Sequence, residues 1–393
     1  MVQDVMVELM RGPGDMADFQ MTSNDGVYNF SNVAHESNYS VAPYKEDSFL
    51  NGVSTIDLVQ IQRHILGLER FTSPYKVIAA DSDNNGRING TDLVELRKLI
   101  LGVTTELPFG QKAWRLPIES QTFADINSPF PYQETINVEN HNAPTDNQNF
   151  IAVKIGDVNG SALTVGRRSA RSLELIVDET ELTNGVLVTI PVYAKDVSDL
   201  IGLQTTMSFN PTALEFVGIN KGALDITEGN LGLHSLTEGY ITLSWNNITG
   251  VAVDNDEALF ELQFNVNESS KLSEQFFLSS ALTGSEAYTS DMETMNLHLN
   301  YANADISDFV LYQNIPNPFA DNTEIRFSLP ATSDVTFSVY NVNGSEILRR
   351  TSRFEGGNNS ILLSSEELSS TGVLYYKLET AYGTASRKMI QIR

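Results

Sequence analysis

Residues 81–102 have the sequence DSDNNGRINGTDLVELRKLILG, and this stretch decides the fold of the region around it. Its first twelve residues place side-chain oxygens at loop positions 1, 3, 5, 9 and 12, with Gly86 at position 6. Calcium prefers about six to eight hard oxygen ligands, and a glycine at position 6 permits the sharp turn around the ion. The spacing therefore predicts a calcium loop with these ligands: Asp81, Asp83, Asn85, the carbonyl of Arg87, Asn89 and Asp92.

The simplest alternative is a surface turn rich in Asn and Asp, which are common in turns for local hydrogen-bonding reasons. The sequence that follows argues against it, because apolar residues recur at helical spacing from Leu93 onward. Asp92 would close the loop and also place its negative charge at the helix N-terminus. Gly102 suits the left-handed position that ends a helix.

The same loop-helix unit occurs twice. Residues 57–67 have the sequence DLVQIQRHILG and residues 92–102 have DLVELRKLILG, an internal duplication. The loop before the first helix is degenerate, since Phe49 and Leu50 offer no side-chain oxygen. Whether it binds an ion stays open. The segment that begins at Asp157 resembles the opening of a calcium loop, and our hypothesis is that it folds back to complete a second site. The candidate ligands of this second site are Asp47, Asn51, Asp57, Asp157 and Asn159.

The amino-acid composition excludes several classes of function and of metal site. The chain has 393 residues, no cysteine and a net charge of -25. The charge repels nucleic acid and anionic membranes, and the lack of cysteine excludes disulfides and thiolate metal sites. No apolar run is long enough for a transmembrane helix. The first residues do not resemble a signal peptide, so we expect that a secreted protein would lack its natural N-terminus here; a cytoplasmic protein is the competing explanation.

The rest of the chain predicts β-structure. Val5, Val7 and Leu9 alternate with more polar residues, residues 27–30 suggest another strand, and Asn343-Gly344 predicts a tight turn. We expect a mainly β protein, with several small β-sandwich domains and one small α-helical calcium-binding domain. The predicted segments are a truncated sandwich over 1–44, a calcium-binding domain with an extension over 45–162, a linker over 163–171, a sandwich over 172–302 and a further β domain over 311–393.

Several segments resemble known families. Asp rather than Glu at position 12, together with one loop-helix unit per repeat, resembles a dockerin type I domain. That resemblance implies calcium as the cofactor and cohesin- or dockerin-type modules as partners, including modules within this chain. The N-terminal segment resembles half of a Cna-B or carboxypeptidase-regulatory domain, on the strand entering Gly12-Pro13-Gly14 and the TSNDGVYNF and NYSVAP segments.

Residues 172–302 resemble a cohesin domain. The resemblance rests on VLVTIPVY at 186–193 and on GLQTTMSFNPTALEF at 202–216. The cohesin fold is shared with carbohydrate-binding modules, so fold alone does not decide function. Trp245 and Tyr240 could stack on a sugar, although Trp245 lies on an apolar-periodic strand and is better interpreted as core.

The last segment is similar to the C-terminal sorting domain of the type IX secretion system of Bacteroidota. The residues that carry this similarity are LYQNIPNPF at 311–319, TEIRF at 323–327, VYNVNG at 339–344, GVLYYKL at 372–378 and KMI at 388–390. The similarity implies export by the type IX machinery to the extracellular space or the outer-membrane surface.

No catalytic set stands out. The five histidines are scattered without a metal-binding spacing, and the nucleophile and phosphate-binding motifs are missing from the sequence. We therefore expect a non-catalytic, surface-anchored protein that acts in protein–protein assembly or adhesion. The alternative is the accessory tail of a polysaccharide-degrading enzyme, in which the cohesin-like domain binds carbohydrate.

Overall fold

The computed structural model of the chain describes residues 2–12, 17–163, 171–303 and 308–392. They form two compact units, Met1–Ile100 with Thr104–Arg168, and Leu101–Val103 with Ser169–Arg393. Strands predominate, which confirms the mainly β fold class. The predicted linker over 163–171 lies almost entirely outside the described residues. Within the described ranges, every helix falls short of the length and apolar character that crossing a bilayer requires.

The first unit opens with an antiparallel sheet. The strands of this unit are β1 (Met6–Met10), β2 (Asp18–Met21), β3 (Ser37–Tyr44), β4 (Trp114–Arg115), β5 (Ile136–His141) and β6 (Val153–Lys154). The sheet order is β2-β1-β3-β5. The predicted alternation is present, since Val7 and Leu9 are buried in a small apolar core with Val41. Strand β5 comes from the segment predicted as an extension of the calcium-binding domain, yet it pairs with β3.

The strand expected over residues 27–30 is wrong, because the structure has a loop there. The reason lies in its hydrogen bonds and packing. The backbone N–H of Asn29 donates to the Gln20 side chain at 3.1 Å instead of to a neighbouring strand. Tyr28 and Phe30 still pack against the core of the sheet. The alternating pattern thus marks which side chains face the core, without backbone pairing.

Three helices complete the first unit: α1 (Thr55–Ile65), α2 (Pro74–Ala80) and α3 (Gly90–Ile100). Helices α1 and α3 are the predicted duplicated pair, and they pack on each other through one apolar core. Gly67 and Gly102 have φ of 72° and 66°, the left-handed backbone expected after each helix. Helix α2 was not predicted, although Ser73 caps its N-terminus and Pro74 occupies its first turn.

Gly156 allows the last described segment of the first unit to pack closely against the helices. Gly156 has φ of 89°, and its N–H donates to the carbonyl of Ala79 at 2.8 Å. A Cβ at this position would lie 2.7 Å from Leu96 Cδ2 and 2.8 Å from Val53 Cγ2. The close approach therefore requires glycine, and it brings the chain that follows residue 156 alongside the segment that begins at Val53.

The second unit contains a large β-sandwich and a smaller β domain. The strands of the sandwich are β7 (Ser172–Asp178), β8 (Glu181–Leu182), β9 (Leu187–Ala194), β10 (Val197–Phe209), β11 (Leu214–Lys221), β12 (Leu231–Gly232), β13 (Tyr240–Val253), β14 (Phe260–Val266), β15 (Ser270–Lys271), β16 (Phe276–Ser279), β17 (Glu286–Thr289) and β18 (Thr294–Ala302). A four-residue helix, α4 (Leu272–Gln275), precedes β16. The strand order β11-β14-β9-β7 continues as β18-β17-β10-β13-β12. Inward residues of β9 and β10, such as Ile190 and Leu203, share one core, so the two halves face each other.

The smaller domain contains β19 (Val310–Leu311), β20 (Asn322–Leu329), β21 (Ser333–Asn341), β22 (Glu346–Phe354), β23 (Gly357–Ser364), β24 (Gly372–Thr380) and β25 (Gly383–Gln391). Its two sheets have the orders β19-β20-β23 and β22-β21-β24-β25. They enclose a separate apolar core that includes Phe327, Val339 and Leu378. The predicted turn at Asn343-Gly344 joins β21 to β22, with Gly344 at φ of 78°.

Candidate metal centre

The loop at residues 81–92 joins α2 to α3 and gathers carboxylates. Asp81, Asp83 and Asp92 are all buried. Each offers one carboxylate oxygen, and these oxygens lie within 4.8 Å of one another. The structure therefore brings together the carboxylates at loop positions 1, 3 and 12, which are three of the predicted ligands.

Asp92 organises the loop from the first turn of α3. One of its carboxylate oxygens accepts backbone N–H groups from Ser82 at 2.9 Å and from Asp83 at 3.3 Å. The other accepts the N–H of Asn89 at 2.9 Å. A single carboxylate thus holds the start of the loop against its end.

Asp81 holds the middle of the loop. Its two oxygens accept the N–H groups of Asn85 and Gly86, each at 3.0 Å. The N–H of Asn85 also donates to Asp83 at 3.2 Å. Gly86 has φ of 76°, the backbone that the predicted position-6 turn needs. The backbone is therefore curled around the space between the carboxylates.

The other predicted ligands lie on the same loop. The N–H of Arg87 donates to the side-chain oxygen of Asn85 at 2.8 Å. The side-chain oxygen of Asn89 accepts the N–H of Thr91 at 2.8 Å, so in this arrangement it caps the helix. A position-9 residue in a calcium loop often reaches the ion through water, which would leave this cap in place.

Burial of the loop carboxylates and repulsion between their charges make their ionised forms unfavourable when no cation is bound. Burial raises the pKa of Asp81 to about 6, and the neighbouring charges of Asp92 and Asp83 add to the effect. Burial also raises the pKa of Asp92. A bound cation would reverse both shifts, because it stabilises the charged form. Carboxylate, amide and carbonyl oxygens without nitrogen or sulfur donors fit a hard ion such as calcium.

The first repeat holds a second loop, made of two separate segments. Asp57 lies in the first turn of α1 and is fully buried. One of its oxygens accepts the N–H groups of Val158 at 2.9 Å and Asn159 at 3.2 Å, and the other accepts that of Ser54 at 3.0 Å. Asp92 makes the same three bonds with loop positions 2, 3 and 9.

Asp157 makes hydrogen bonds in the second loop that match those of Asp81 in the first. Its oxygens accept the N–H groups of Ser161 at 3.0 Å and Ala162 at 2.9 Å. Asn159 accepts the same Ser161 N–H at 2.8 Å, as Asp83 does from Asn85. Residues 157–162 therefore have the hydrogen bonds of loop positions 1 to 6.

The segment that ends at Ala162, at position 6, lies against the segment that begins at Gly52, at position 7. Ser161 Oγ donates to the carbonyl of Gly52 at 2.9 Å. A Cβ on Gly52 would lie 2.5 Å from Cβ of Ala162, so glycine is needed at the junction. Residues 52–57 thus correspond to positions 7 to 12. Ser54, Ser161 and the Gly52 carbonyl were not among the predicted ligands. Alignment of Asp57 with Asp92 places Gly52 and Ser54 at positions 7 and 9, and alignment of Asp157 with Asp81 places Ser161 at position 5.

Asp47 and Asn51 make other contacts. Asp47 accepts from the Asn51 side chain at 2.8 Å and lies 3.5 Å from the ammonium of Lys154. That ammonium also donates to the carbonyl oxygens of Ser48 and Phe49. Burial lowers the pKa of Lys154 to about 8. We call residues 157–162 and 52–57 together the split loop. Asp47 and Asn51 both precede Gly52, so they fall outside its twelve positions.

Burial also sets the electrostatics of the split loop. It raises the pKa of Asp57 well above its usual range, and the charge of Asp157 contributes in the same direction. The pKa of Asp157 is raised by burial as well. A bound cation would stabilise the ionised form of both carboxylates, as it would in the continuous loop.

The remaining candidates are structural. His64 is buried, stacks on Phe71 at 4.4 Å and accepts the Phe71 N–H at 3.0 Å. Burial lowers its pKa, which favours the neutral imidazole. Trp245 lies in the core of the sandwich, as expected. Tyr240 is buried as well, so neither aromatic residue offers a face for stacking on a sugar.

Family models match three separate parts of the chain. They are the dockerin type I domain over residues 51–101, the cohesin domain over 173–296 and the secretion system C-terminal sorting domain over 314–393. These three resemblances are confirmed, while the Cna-B-like fragment is not. Cohesin and dockerin domains pair with each other, and the sorting domain indicates type IX secretion to the cell surface or extracellular space. The set supports a secreted surface protein that acts in protein–protein assembly.

Solved structures similar to the chain include cohesins, and no curated protein matches it. A Coh-OlpC–Doc435 complex from Clostridium thermocellum is 12% identical, with 35% of this chain and 94% of that chain covered and a TM-score of 0.28. The sixth cohesin of Acetivibrio cellulolyticus scaffoldin B, in complex with a Cel5 dockerin, is 18% identical over 33% and 94%, with a TM-score of 0.28. A non-cellulosomal cohesin from Archaeoglobus fulgidus is 17% identical over 33% and 86%, with a TM-score of 0.27.

Calcium should stabilise the first unit through Asp81. A ligand that binds only the folded form at about 100 times its Kd adds about 2.7 kcal/mol to the free energy of unfolding. We expect calcium to raise the melting temperature of the wild-type chain above that in chelator. Asp81→Asn, which keeps the side-chain shape, should reduce this rise. Thermal unfolding followed by circular dichroism at 222 nm, which reports the helices, is the measurement.

Glu106→Gln is the matched control for charge. Glu106 is exposed and lies outside both loops, and its substitution removes the same single negative charge. The control variant should keep the full calcium response. An equal loss of response in Glu106→Gln and Asp81→Asn would mean that calcium acts through overall charge and not through the loop.

Proposed function

We propose that the chain is a non-catalytic assembly protein of the cell surface, in which calcium fixes the shape of a dockerin-like module that binds a cohesin-type sandwich. The observation that carries the proposal is the repetition of one hydrogen-bonded loop scaffold before both α1 and α3. The family matches supply the type of partner and the route of export.

Two ions rather than one are proposed for this module. The first ion would take oxygens from Asp81, Asp83, Asn85 and Asp92, with the Arg87 carbonyl and Asn89 completing the set. The second would take oxygens from Asp157, Asn159 and Asp57, with Ser161 and the Gly52 carbonyl at the positions of Asn85 and the Arg87 carbonyl. Asp47 and Asn51 are not needed in this set, because Lys154 neutralises Asp47.

The proposed ions act on the surface that the helices present. Asp57 and Asp92 each belong to the first turn of a helix and to a loop. An ion that fixes either carboxylate also fixes where that helix begins. Calcium bound at both loops would therefore hold α1 and α3 in a defined pair, and a partner that contacts both helices would bind the calcium-loaded form more tightly.

Calcium stoichiometry tests the split loop. Isothermal titration of the full chain should show two ions bound in the wild type and one in Asp157→Asn, because this substitution removes a carboxylate from position 1 of the split loop. Asp81→Asn should also leave one ion, since it affects the other loop.

The Asp47→Asn substitution tests whether Asp47 is a ligand of the second ion. The variant should still bind two ions, because Asp47 contacts Lys154 and lies outside the twelve positions. Two ions bound by Asp157→Asn, or one by Asp47→Asn, would contradict the proposed ligand set.

Pairing of the two module types tests the assembly function. Residues 1–168 contain two apolar cores of their own and residues 169–393 contain the other two, so these ranges can be prepared as separate fragments. In calcium, titration of one fragment into the other should release binding heat. The heat should be lost in chelator, and also when residues 1–168 carry both Asp81→Asn and Asp157→Asn. Glu106→Gln is again the control that should bind. Equal binding with and without calcium would refute the calcium dependence, and no binding in either condition would refute pairing between these modules.

A further inference from the structure

Strand β20 of the sorting domain is buried on both of its faces. Ile325 and Phe327 point into the apolar core of the sorting domain. The residues that alternate with them, Glu324 and Arg326, are each 1% exposed. In a strand, alternate residues point to opposite faces of the sheet. The charged face of β20 is therefore covered by something other than the core of its own domain.

The cover comes from the cohesin-like sandwich. A guanidinium nitrogen of Arg326 donates to the hydroxyl of Ser208 on β10. The guanidinium also lies over the ring of Phe277 on β16, 4.6 Å from its centroid. On its own strand, Arg326 pairs with Glu324 at 3.3 Å. One arginine thus contacts two strands of the neighbouring domain.

Aromatic contacts extend the surface around Arg326. The rings of Tyr312 and Phe277 meet edge to face with centroids 5.5 Å apart. Tyr240 on β13 donates its hydroxyl to the carbonyl of Ile315 at 3.3 Å. Phe276 belongs to the sandwich core, whereas Phe277 points away from it yet is only 2% exposed. Phe277 is therefore buried chiefly by the sorting domain.

Burial of a charged pair needs compensation. Exposed ion pairs contribute little to stability, and taking two charges out of water costs several kcal/mol per ion unless other contacts replace the water. Here the replacements are the Ser208 hydroxyl and the face of Phe277, a charge-assisted hydrogen bond and a cation–π contact. Because these contacts depend on direction, they favour a single arrangement of the two domains.

We propose that the sorting domain docks on the cohesin-like sandwich as a cap, with Arg326 held between Glu324, Ser208 and Phe277. The partner of the surface made by Ser208, Tyr240 and Phe277 is this chain's own β20 face. A chain that is attached to the cell surface through its sorting domain then presents the sandwich in a fixed orientation. Removal of the sorting domain uncovers Phe277 and the Ser208 hydroxyl. This inference does not depend on calcium binding.

The absence of cysteine from the chain makes a thiol probe specific. The Ser208→Cys substitution places one thiol under Arg326 in the full chain. Its rate of reaction with Ellman's reagent should be slow. Arg326→Ala and deletion of residues 311–393 should each raise that rate by at least about tenfold, because each removes part of the cover over Ser208. Phe277→Ala should raise it as well, because it removes the ring against which Arg326 is held. Phe277→Ala keeps β20 and the sorting-domain core intact, so it decides the result if Arg326→Ala disturbs that domain.

Two controls define the scale. Val217→Cys, at an exposed position on β11, gives the rate of an open thiol on the same sandwich. Tyr375→Ala, at an exposed position on β24 of the sorting domain, should leave the Ser208→Cys rate unchanged. Tryptophan fluorescence checks that each variant stays folded, since Trp245 is buried in the sandwich and Trp114, the second tryptophan, is buried in the first unit. If the Ser208→Cys thiol reacts as fast as the Val217→Cys thiol in the intact chain, or at the same rate after the deletion, the docking proposal is wrong.

Discussion

The helical module depends on one interaction that occurs twice: an aspartate in the first turn of a helix accepts three backbone N–H groups from the loop beside it. Asp92 does this for α3 and Asp57 for α1. The geometry curls each loop around buried carboxylates whose charges repel one another. The backbone contacts alone leave that repulsion in place, and a hard cation would remove it. We therefore propose that the module depends on calcium.

In the split loop, an ion would also join two parts of the chain that are far apart in sequence. Its halves, residues 52–57 and 157–162, are separated by about a hundred residues of chain, so an ion between them closes a long segment. Fixing the ends of a long flexible segment costs chain entropy, which native contacts must offset. Gly156 and Gly52 show how closely the chain must pack to make the closure. Calcium at this site would therefore affect the closure of the first unit as well as the start of α1.

Local patterns in the sequence predicted the local structure. The loop at 81–92, the two duplicated helices with their terminal glycines and the Asn343-Gly344 turn all follow from short-range rules, and the structure has them. The strand expected at residues 27–30 was wrong because alternation reports burial and not backbone pairing. The partner of Asp57 was suggested by the Asp157 motif, but the junction at Gly52 depends on packing over a hundred residues. The burial of Glu324 and Arg326 on β20 has no local sequence signal, because it depends on contacts with the neighbouring domain.

Calcium at the two loops can be observed in a crystal structure determined from calcium-containing solution, with anomalous data to identify the metal. We expect two ions. One should lie about 2.3–2.6 Å from oxygens of Asp81, Asp83 and Asp92, and the other at the same distances from Asp57, Asp157 and Asn159. An ion in the continuous loop alone, with residues 157–162 separated from residues 52–57, would contradict the claim that the two halves form one site.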